Sequence, residues 1–222
     1  MSIADEIKSI TSQLPSGVKL VAVSKFHPVE RLMQAYDAGQ RIFGESRVQE
    51  LEKKVQEMPK DVQWHFIGHL QTNKVRQLVP FVSLIHSVDS VKLLQSINKE
   101  AARIGRVVNV LLQLHVAQES AKFGFTVDEL EALAGDGTFL ALPNVKICGV
   151  MAMATNTDDE AEIRKEFAEA KEMFAYLKNG CFKNNECFSE LSMGMSDDYH
   201  LAIEQGSTMV RIGTTIFGKR EY

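Results

Sequence analysis

The chain has 222 residues, of which 45% are hydrophobic and 24% are charged, and this profile is typical of a globular protein with one substantial core. Lysine and arginine number 25 against 29 acidic residues, and the resulting net charge of -4 argues against a nucleic-acid partner, which would need a basic excess on one face. No apolar run approaches the roughly 18 residues of a membrane span, and residues 1–14 lack the apolar segment of a signal peptide.

Short apolar runs alternate with segments of helical periodicity along the whole chain. The first predicted element is an amphipathic helix over residues 3–14, which Pro15, Ser16 and Gly17 end. Strands are predicted over residues 18–25, 41–45, 64–68, 84–88, 107–116, 145–153, 186–193 and 208–217. Helices are predicted over residues 29–39, 46–58, 72–79, 90–104, 126–134, 158–178 and 197–205.

Eight strands alternating with helices fit a (β/α)8 barrel with an extra N-terminal helix. The alternative is an open, doubly wound sheet, but no Gly-x-Gly-x-x-Gly follows the first strand and no switch in strand order is indicated halfway. We therefore predict an α/β fold, a TIM-type barrel that forms a single domain over residues 1–222. In such a barrel the carboxyl ends of the strands share one rim. That rim would gather Lys25, Glu45, His69, His115, Met153, Ser192 and Arg211.

Lys25 ends the first strand, whose valine-rich centre is typical of a strand buried on both faces. Such a strand usually runs out into a polar loop, so Lys25 fits a solvated strand end. An ammonium group that is desolvated at the mouth of an apolar barrel, however, loses its proton more readily and becomes a nucleophile. The side chains that the other strands place at the rim decide between these two interpretations.

Two loops at this rim have the composition of an anion site. Ser192 and Gly194 follow the seventh strand, and Gly213 and Thr214 belong to the eighth. Glycines let backbone amides approach an anion, hydroxyls add donors, and barrels often bind phosphate after strands seven and eight. A glycine at a strand end is commonly only a turn residue, but the two loops together favour a phosphate cradle.

Arg211 lies two residues before Gly213, so the two share a face of the barrel. A charged side chain on the inward face needs an ionic partner, such as Glu45 at the rim, or a ligand. A ligand with an aldehyde, a phosphate and a ring nitrogen would engage Lys25 as an imine, the two loops and Arg211 together. These residues point to pyridoxal 5′-phosphate (PLP) as the cofactor.

Two other chemistries fit the sequence poorly. His65 and His69 straddle a strand end instead of sharing a helical face, and no HExxH motif contains them, which argues against zinc. Ser192 lacks the Gly-x-Ser-x-Gly elbow of a hydrolase nucleophile. The three cysteines, Cys148, Cys181 and Cys187, have no metal-type spacing and are expected to be free thiols in a reducing cytoplasm.

Segments spread over nearly the whole chain resemble the YggS/PROSC-like family of PLP-binding (PLP homeostasis) proteins. They read LVAVSK, FGESRVQE, WHFIGHLQTNK, LLQLHVAQESAKFGF, GVMAMA, LSMGMSDDYHLAIEQGSTMVRIGTTIFG and FGKREY. The resemblance implies a monomeric barrel like the N-terminal domain of alanine racemase. It also implies a non-catalytic PLP carrier in vitamin B6 and amino-acid homeostasis, with apo PLP-dependent enzymes as possible recipients.

The same resemblance implies roles for individual residues. It places the imine on Lys25, the ring-nitrogen contact on Arg211 and the phosphate contacts on Ser192, Gly194, Gly213 and Thr214. Met153 is expected to form part of an apolar wall. Where the family motif usually reads FGENYVQE, this chain has Ser46 and Arg47, so Ser46 is expected to make a shorter and weaker contact with the cofactor than the usual asparagine.

Two enzymes remain as alternatives. One is a small amino-acid racemase that uses Lys25 and a rim histidine, His115 or His69, and the other is a lysine-imine aldolase without a cofactor. An arginine beside the ring nitrogen disfavours its protonation and weakens PLP as an electron sink. A racemase completes its site with a residue from a second domain, which a single barrel does not supply. We therefore predict a PLP-binding protein rather than an enzyme.

Overall fold

The computed structural model describes residues 2–117 and 123–218. Two of the segments quoted above extend beyond them, over residues 118–122 and 219–222, which lie outside the described residues. The strands are β1 Lys19–Val23, β2 Ile42–Glu45, β3 Gln63–Phe66, β4 Leu84–Val88, β5 Val108–Gln113, β6 Val145–Met151, β7 Glu190–Ser192 and β8 Met209–Ile212. The α-helices are α1 Ile3–Gln13, α2 Val29–Asp37, α3 Val48–Glu57, α4 Val75–Leu78, α5 Val91–Arg103, α6 Val127–Gly135, α7 Glu160–Asn179, α8 Tyr199–Glu204 and α9 Thr214–Phe217.

The strands form a closed barrel in chain order. Each strand pairs in parallel with the next, and β8 returns to pair with β1 over Lys19–Ala22 and Met209–Ile212. Parallel neighbours need a crossover connection, which the helices between the strands supply. The prediction of an α/β barrel is confirmed, and the open-sheet alternative is excluded.

An extra helix, α1, precedes the barrel as predicted. It begins with a capping box in which the Ser2 hydroxyl accepts the Asp5 N–H and the Asp5 carboxylate accepts the Ser2 N–H. Its buried face carries Ile3, Ile7 and Ile10 and packs against α2 and α9. None of the helices within the described ranges is both long and apolar enough to cross a membrane.

Side chains of the strands alternate between the barrel interior and the layer of helices, as the pleat requires. A large apolar cluster fills the space between strands and helices. A smaller cluster lies inside the barrel and consists of Val21, Leu84, Leu111, Cys148, Met151 and Met209. These interior residues define the inward faces of β1, β4, β5, β6 and β8 and therefore indicate which residues nearer the rim of those strands point into the barrel mouth.

The last two strands are shorter than predicted. β7 covers three residues, Glu190–Ser192, instead of residues 186–193. β8 ends at Ile212, and the N–H groups of Ile216 and Phe217 both donate to the Gly213 carbonyl, so Thr214–Phe217 form α9 instead of continuing the strand to residue 217. The prediction was wrong here because a short apolar run does not distinguish a buried strand from one buried helical turn.

Gly149 lies where β6 is irregular. The pairing of β5 with β6 shifts register between Val110 and Leu111, which pair with Ile147 and Gly149. Gly149 has a φ of +154°, and a Cβ at this position would lie 1.7 Å from the Glu190 carbonyl oxygen of β7. The close approach of β6 and β7 therefore depends on a residue without a side chain.

Candidate functional site

A cavity of about 260 Å³ lies at the carboxyl-terminal rim of the barrel. It is lined by five of the eight predicted site residues, namely Lys25, Met153, Arg211, Gly213 and Thr214. The volume suits a small ligand, since sites for drug-sized molecules usually measure about 300–1,000 Å³. The structure therefore brings residues from the first, sixth and eighth strands and the loops that follow them to one cavity.

The pleat of the strands explains how these side chains reach the cavity. Lys25 lies four residues beyond the interior residue Val21, and Arg211 lies two residues beyond the interior residue Met209. Met153 likewise follows the interior Met151 by two positions. Each site residue thus continues the inward face of its own strand at the rim.

Arg211 is buried, with 4% of its surface exposed, and its hydrogen-bond acceptors are neutral. Its Nη1 donates to the Ser192 carbonyl at 2.9 Å and to the Ser192 hydroxyl at 2.7 Å, and its Nη2 donates to the Ala152 carbonyl at 3.0 Å. Burial lowers the pKa of Arg211 to about 10, against an opposing effect of Asp198. The guanidinium remains a cation at neutral pH, at the wall of a cavity.

The alternative of an ion pair between Arg211 and Glu45 is not what the structure contains. Glu45 points away from the barrel interior and binds the Lys54 ammonium at 2.7 Å and the Ser24 hydroxyl at 2.5 Å. Burial raises the pKa of Glu45 to about 7, although Lys54 acts in the opposite direction. Arg211 therefore has no ion pair with Glu45, and Asp198 is the carboxylate that acts on its charge.

Ser192 lies beneath Arg211 and is not among the residues that line the cavity. Its hydroxyl is 3.1 Å from Nδ1 of His86, whose Nε2 is 2.9 Å from Nδ1 of His65. If Ser192 donates to His86 and His86 donates to His65, every one of these contacts is satisfied with both histidines neutral. Burial lowers the pKa of His65 to about 3 and that of His86 well below its usual range, which keeps both rings uncharged.

Gly194 and Ser46 also lie outside the lining of the cavity. Gly194 has a φ of +92°, and a Cβ there would lie 2.7 Å from the Ala202 Cβ, so glycine allows the loop after β7 to pack closely on α8. Its carbonyl accepts the Arg211 N–H at 3.0 Å. Ser46 lies at the end of β2 in a separate surface depression, against Gly68.

The sequence analysis did not identify Ser196, which lines the cavity and joins its two glycine loops. Its hydroxyl accepts the Gly213 N–H at 3.2 Å. Ser192 and Ser196 belong to the same segment, but Ser192 is the last residue of β7 and is held inside the barrel. Ser196 lies beyond the end of β7 and reaches the cavity lining, whereas Ser192 does not, so the position of the strand end distinguishes the two serines.

The part of the cavity beside α9 offers donors for an anion. The amides of a helix's first turn find no acceptor within the helix, and the first residue of α9, Thr214, lines the cavity. The hydroxyls of Ser196 and Thr214 add two further donors. The exposed carboxylate of Asp197 also lines this cavity, where water can screen its charge.

The histidines considered for a racemase are placed elsewhere. His69 stacks on Phe123 with ring centroids 3.7 Å apart and contacts Asp89 at 3.0 Å, and neither His69 nor His115 is among the cavity's lining residues. His27 does line the cavity, and its ring stacks on Phe217 of α9. Among the described residues, no group of three or more histidine, cysteine or acidic side chains is placed to hold a metal ion.

Comparison with known proteins adds three findings. The family model "Alanine racemase, N-terminal domain" matches residues 1–221. The "Pyridoxal phosphate homeostasis protein" of Aquifex aeolicus is 40% identical over 205 residues, which are 92% of this chain and 88% of the relative. The protein of the same name from Escherichia coli K12 is 38% identical over 94% of this chain and 88% of its own length.

Solved structures agree with the fold. PipY of Synechococcus elongatus PCC7942 without PLP superposes with a TM-score of 0.92 at 39% identity, covering 98% of this chain and 100% of PipY. The structure of PipY with PLP bound superposes with a TM-score of 0.88 at 38% identity and the same coverage. Alanine racemase from Corynebacterium glutamicum shares the fold, with a TM-score of 0.75 at 14% identity over 98% of this chain and 61% of the racemase.

Proposed function

Because the chain belongs to the family of pyridoxal phosphate homeostasis proteins, with the barrel of the alanine racemase N-terminal domain, we propose that it binds PLP at the rim cavity and does not catalyse a reaction on it. The observation that carries this proposal is the buried Arg211 cation, which contacts neutral acceptors at the wall of a cavity that also contains Lys25 and a set of anion donors. The aldehyde of PLP can form an imine with a lysine amine, and Lys25 is the one lysine among the described residues that line the cavity.

Each part of the cavity has a role in this proposal. Lys25 supplies the amine, Arg211 donates to the ring nitrogen, and Met153 forms part of the apolar wall. The phosphate is held by the hydroxyls of Ser196 and Thr214 and by the backbone amides in the first turn of α9, and Gly213, which has no side chain, leaves their approach open.

The other predicted contacts are assigned differently. Ser192 supports Arg211 from below, and Gly194 shapes the loop after β7, so their roles here are indirect. Ser46 lies outside the cavity lining, and its contact with PLP stays a prediction.

Arg211 also favours a carrier over a racemase. A cation beside the ring nitrogen disfavours its protonation, and an unprotonated ring withdraws electrons less strongly. His27, which lines the cavity, is the residue that could act as an acid or base in the alternative racemase. The relatives are named for homeostasis and not for a reaction, which agrees with the carrier.

The proposed carrier is a cytoplasmic monomer of vitamin B6 metabolism that releases PLP to apo-enzymes. The three free cysteines support the cytoplasmic location. The net charge of -4 argues against a nucleic acid as a partner, and a membrane partner is not proposed.

The first prediction tests the proposed function directly. The protein incubated with PLP is expected to show visible imine absorbance, which borohydride abolishes as it fixes the pyridoxyl group. Peptide mapping should then find that mass on the peptide that contains Lys25, and Lys25→Ala should remain unlabelled. Labelling at Lys74, or at Lys122 outside the described residues, with none at Lys25, would contradict the assignment.

A second prediction concerns the phosphate. In Gly213→Val, the added side chain is expected to obstruct the approach of the phosphate to the backbone at the start of α9. Loss of one or two charge-assisted contacts should lower the affinity for PLP roughly ten- to a hundredfold. Pyridoxal, which lacks the phosphate, should bind as it does to the unsubstituted protein. Because a Cβ at Gly213 would lie 3.0 Å from the Val23 carbonyl oxygen, the unfolding midpoint should be measured in parallel. An equal loss for both ligands in a folded variant would place the phosphate elsewhere.

A further inference from the structure

An ionic cluster of two buried side chains and one half-buried side chain lies outside the barrel, behind the turn that carries Lys25. It consists of Glu45 at the end of β2 and Glu50 and Lys54 on α3. Lys54 is 5% exposed, and its ammonium donates to Glu45 Oε1 at 2.7 Å, to Glu50 Oε1 at 2.7 Å and to the Ser24 carbonyl at 2.9 Å. The ammonium has three N–H groups, and each has an acceptor in this cluster.

The cluster holds the chain on both sides of Lys25. Glu50 Oε1, which binds Lys54, also accepts the Phe26 N–H at 2.6 Å. On the other side, the Ser24 hydroxyl donates to Glu45 Oε1 at 2.5 Å, and the Ser24 carbonyl accepts from Lys54. The residues before and after Lys25 are thus hydrogen-bonded to one cluster of charges, of which Glu45 and Lys54 are buried and Glu50 is half-buried.

The backbone held in this way is in an unfavourable conformation. Phe26 has a φ of +69°, the left-handed region that residues with a side chain rarely adopt, and it is the one non-glycine residue with a positive φ in the described ranges. Such a conformation persists only when the surrounding structure enforces it. The His27 N–H closes the turn by donating to the Ser24 carbonyl at 3.1 Å. The hydrogen bond from the Phe26 N–H to Glu50, and the bond from Lys54 to Glu50, then tie this turn to α3.

Stability alone does not account for the cluster. Two carboxylates share one ammonium, and Glu45 Oε2 is buried without a hydrogen-bond partner among the described atoms. Burying such charges costs desolvation energy that an apolar cluster of the same volume would avoid. We propose that Lys54 and Glu50 are positioning residues that hold the turn at Ser24–Phe26 so that the amine of Lys25 points into the cavity.

This inference rests on the proposed function of Lys25, and its test separates imine formation from binding of the ring and phosphate. The probes are PLP and pyridoxine 5′-phosphate, which carries an alcohol in place of the aldehyde and cannot form an imine. In Lys54→Met, imine formation with PLP should fall on the order of a hundredfold, because a small displacement of a reacting group has an effect of that size. The affinity for pyridoxine 5′-phosphate should stay within about threefold, since the phosphate and ring contacts are untouched.

A matched pair of variants tests the role of the turn. Adding Phe26→Gly to Lys54→Met should restore most of the imine absorbance, because glycine adopts a positive φ without strain. Adding Phe26→Ala removes the same ring but keeps the Cβ, and it should restore none. Recovery with alanine equal to that with glycine would attribute the effect to the ring and overturn the inference.

Glu50 provides a second pair if Lys54→Met fails to fold. Glu50→Ala removes the acceptor of the Phe26 N–H and should reduce imine formation without lowering the affinity for pyridoxine 5′-phosphate. Glu50→Gln keeps an acceptor oxygen at this position and should retain imine formation. Full imine formation in Lys54→Met and Glu50→Ala, or an equal loss of affinity for both probes, would overturn the inference. Failure of the unsubstituted protein to be labelled at Lys25 would instead overturn the proposed function.

Discussion

Replacing Gly149 with alanine is expected to lower the free energy of unfolding by about 4 kcal/mol, from overpacking and a strained backbone together. A Cβ at this position would lie 1.7 Å from the Glu190 carbonyl oxygen, and that atom belongs to the backbone of β7 and cannot rotate away. The strand would have to separate from β7, with which Gly149 is paired. Net stabilities of about 5–15 kcal/mol mean that such a loss removes a large share of the total.

The measurement is a urea unfolding curve followed by circular dichroism and by fluorescence of the single tryptophan, Trp64, which is buried. The matched control is Gly135→Ala at the end of α6, where an added Cβ meets nothing within 4 Å. This variant should be unchanged or more stable by about 0.4–1 kcal/mol. Equal stability of Gly149→Ala and the unsubstituted protein would show that β6 and β7 can separate at this point without cost.

The second large effect concerns amino acids offered to the PLP-loaded protein. Their Cα protons are expected to exchange with solvent negligibly slowly, since each missing acid or base contribution is worth roughly 10²–10⁴ in rate. Arg211 is held by neutral acceptors and keeps its charge, so the ring nitrogen facing it would stay unprotonated. Neither His69 nor His115 lines the cavity, and the ring of His27, which does line it, is stacked on Phe217.

The test is incubation with each L-amino acid in deuterated water, followed by NMR of the Cα proton and by chiral analysis. Rapid exchange that disappears in Lys25→Ala would overturn the carrier in favour of the racemase. A His27→Gln variant would then show whether the histidine that lines the cavity is the acid or base. Absence of exchange, with transfer of PLP to an added apo-enzyme, is the result expected of a carrier.

The barrel could be predicted from the sequence because its strands are short apolar runs, and segments with helical periodicity separate them. This alternation is a local pattern that is visible in the sequence of a parallel barrel. Of the residues that the rim rule gathered, Lys25, Met153 and Arg211 line the cavity, whereas Glu45, His69, His115 and Ser192 do not. Gly213 and Thr214, which the composition of the loops indicated, line it as well. The rule could not choose between Ser192 and Ser196, because that choice depends on where β7 ends, and a strand end is uncertain by about two to four residues in sequence.

Lys54 could not be predicted either. From the sequence, Glu50 and Lys54 form an ordinary i, i+4 pair on a charged helix, which is typical of a solvated surface. The burial of Lys54 arises only when α3 packs against the turn after β1, a tertiary contact without a local signal. The positive φ of Phe26 could not be predicted from the sequence either, since phenylalanine is not among the residues that are typical of such turns.

The cavity lies across the seam at which β1 and β8 close the barrel. Lys25 follows the first strand and Arg211 belongs to the last, so nearly the whole sequence separates two groups that would hold the same ligand. During folding, such a ligand has no complete site until the final strand has docked. A bound ligand would contact groups from both β1 and β8, so the barrel could not open between these strands without losing ligand contacts. Such local openings would become rarer as the concentration of free ligand rises. A carrier of this design would be most resistant to opening when its cargo is abundant, and the level of cargo would be reflected in the lifetime of the protein.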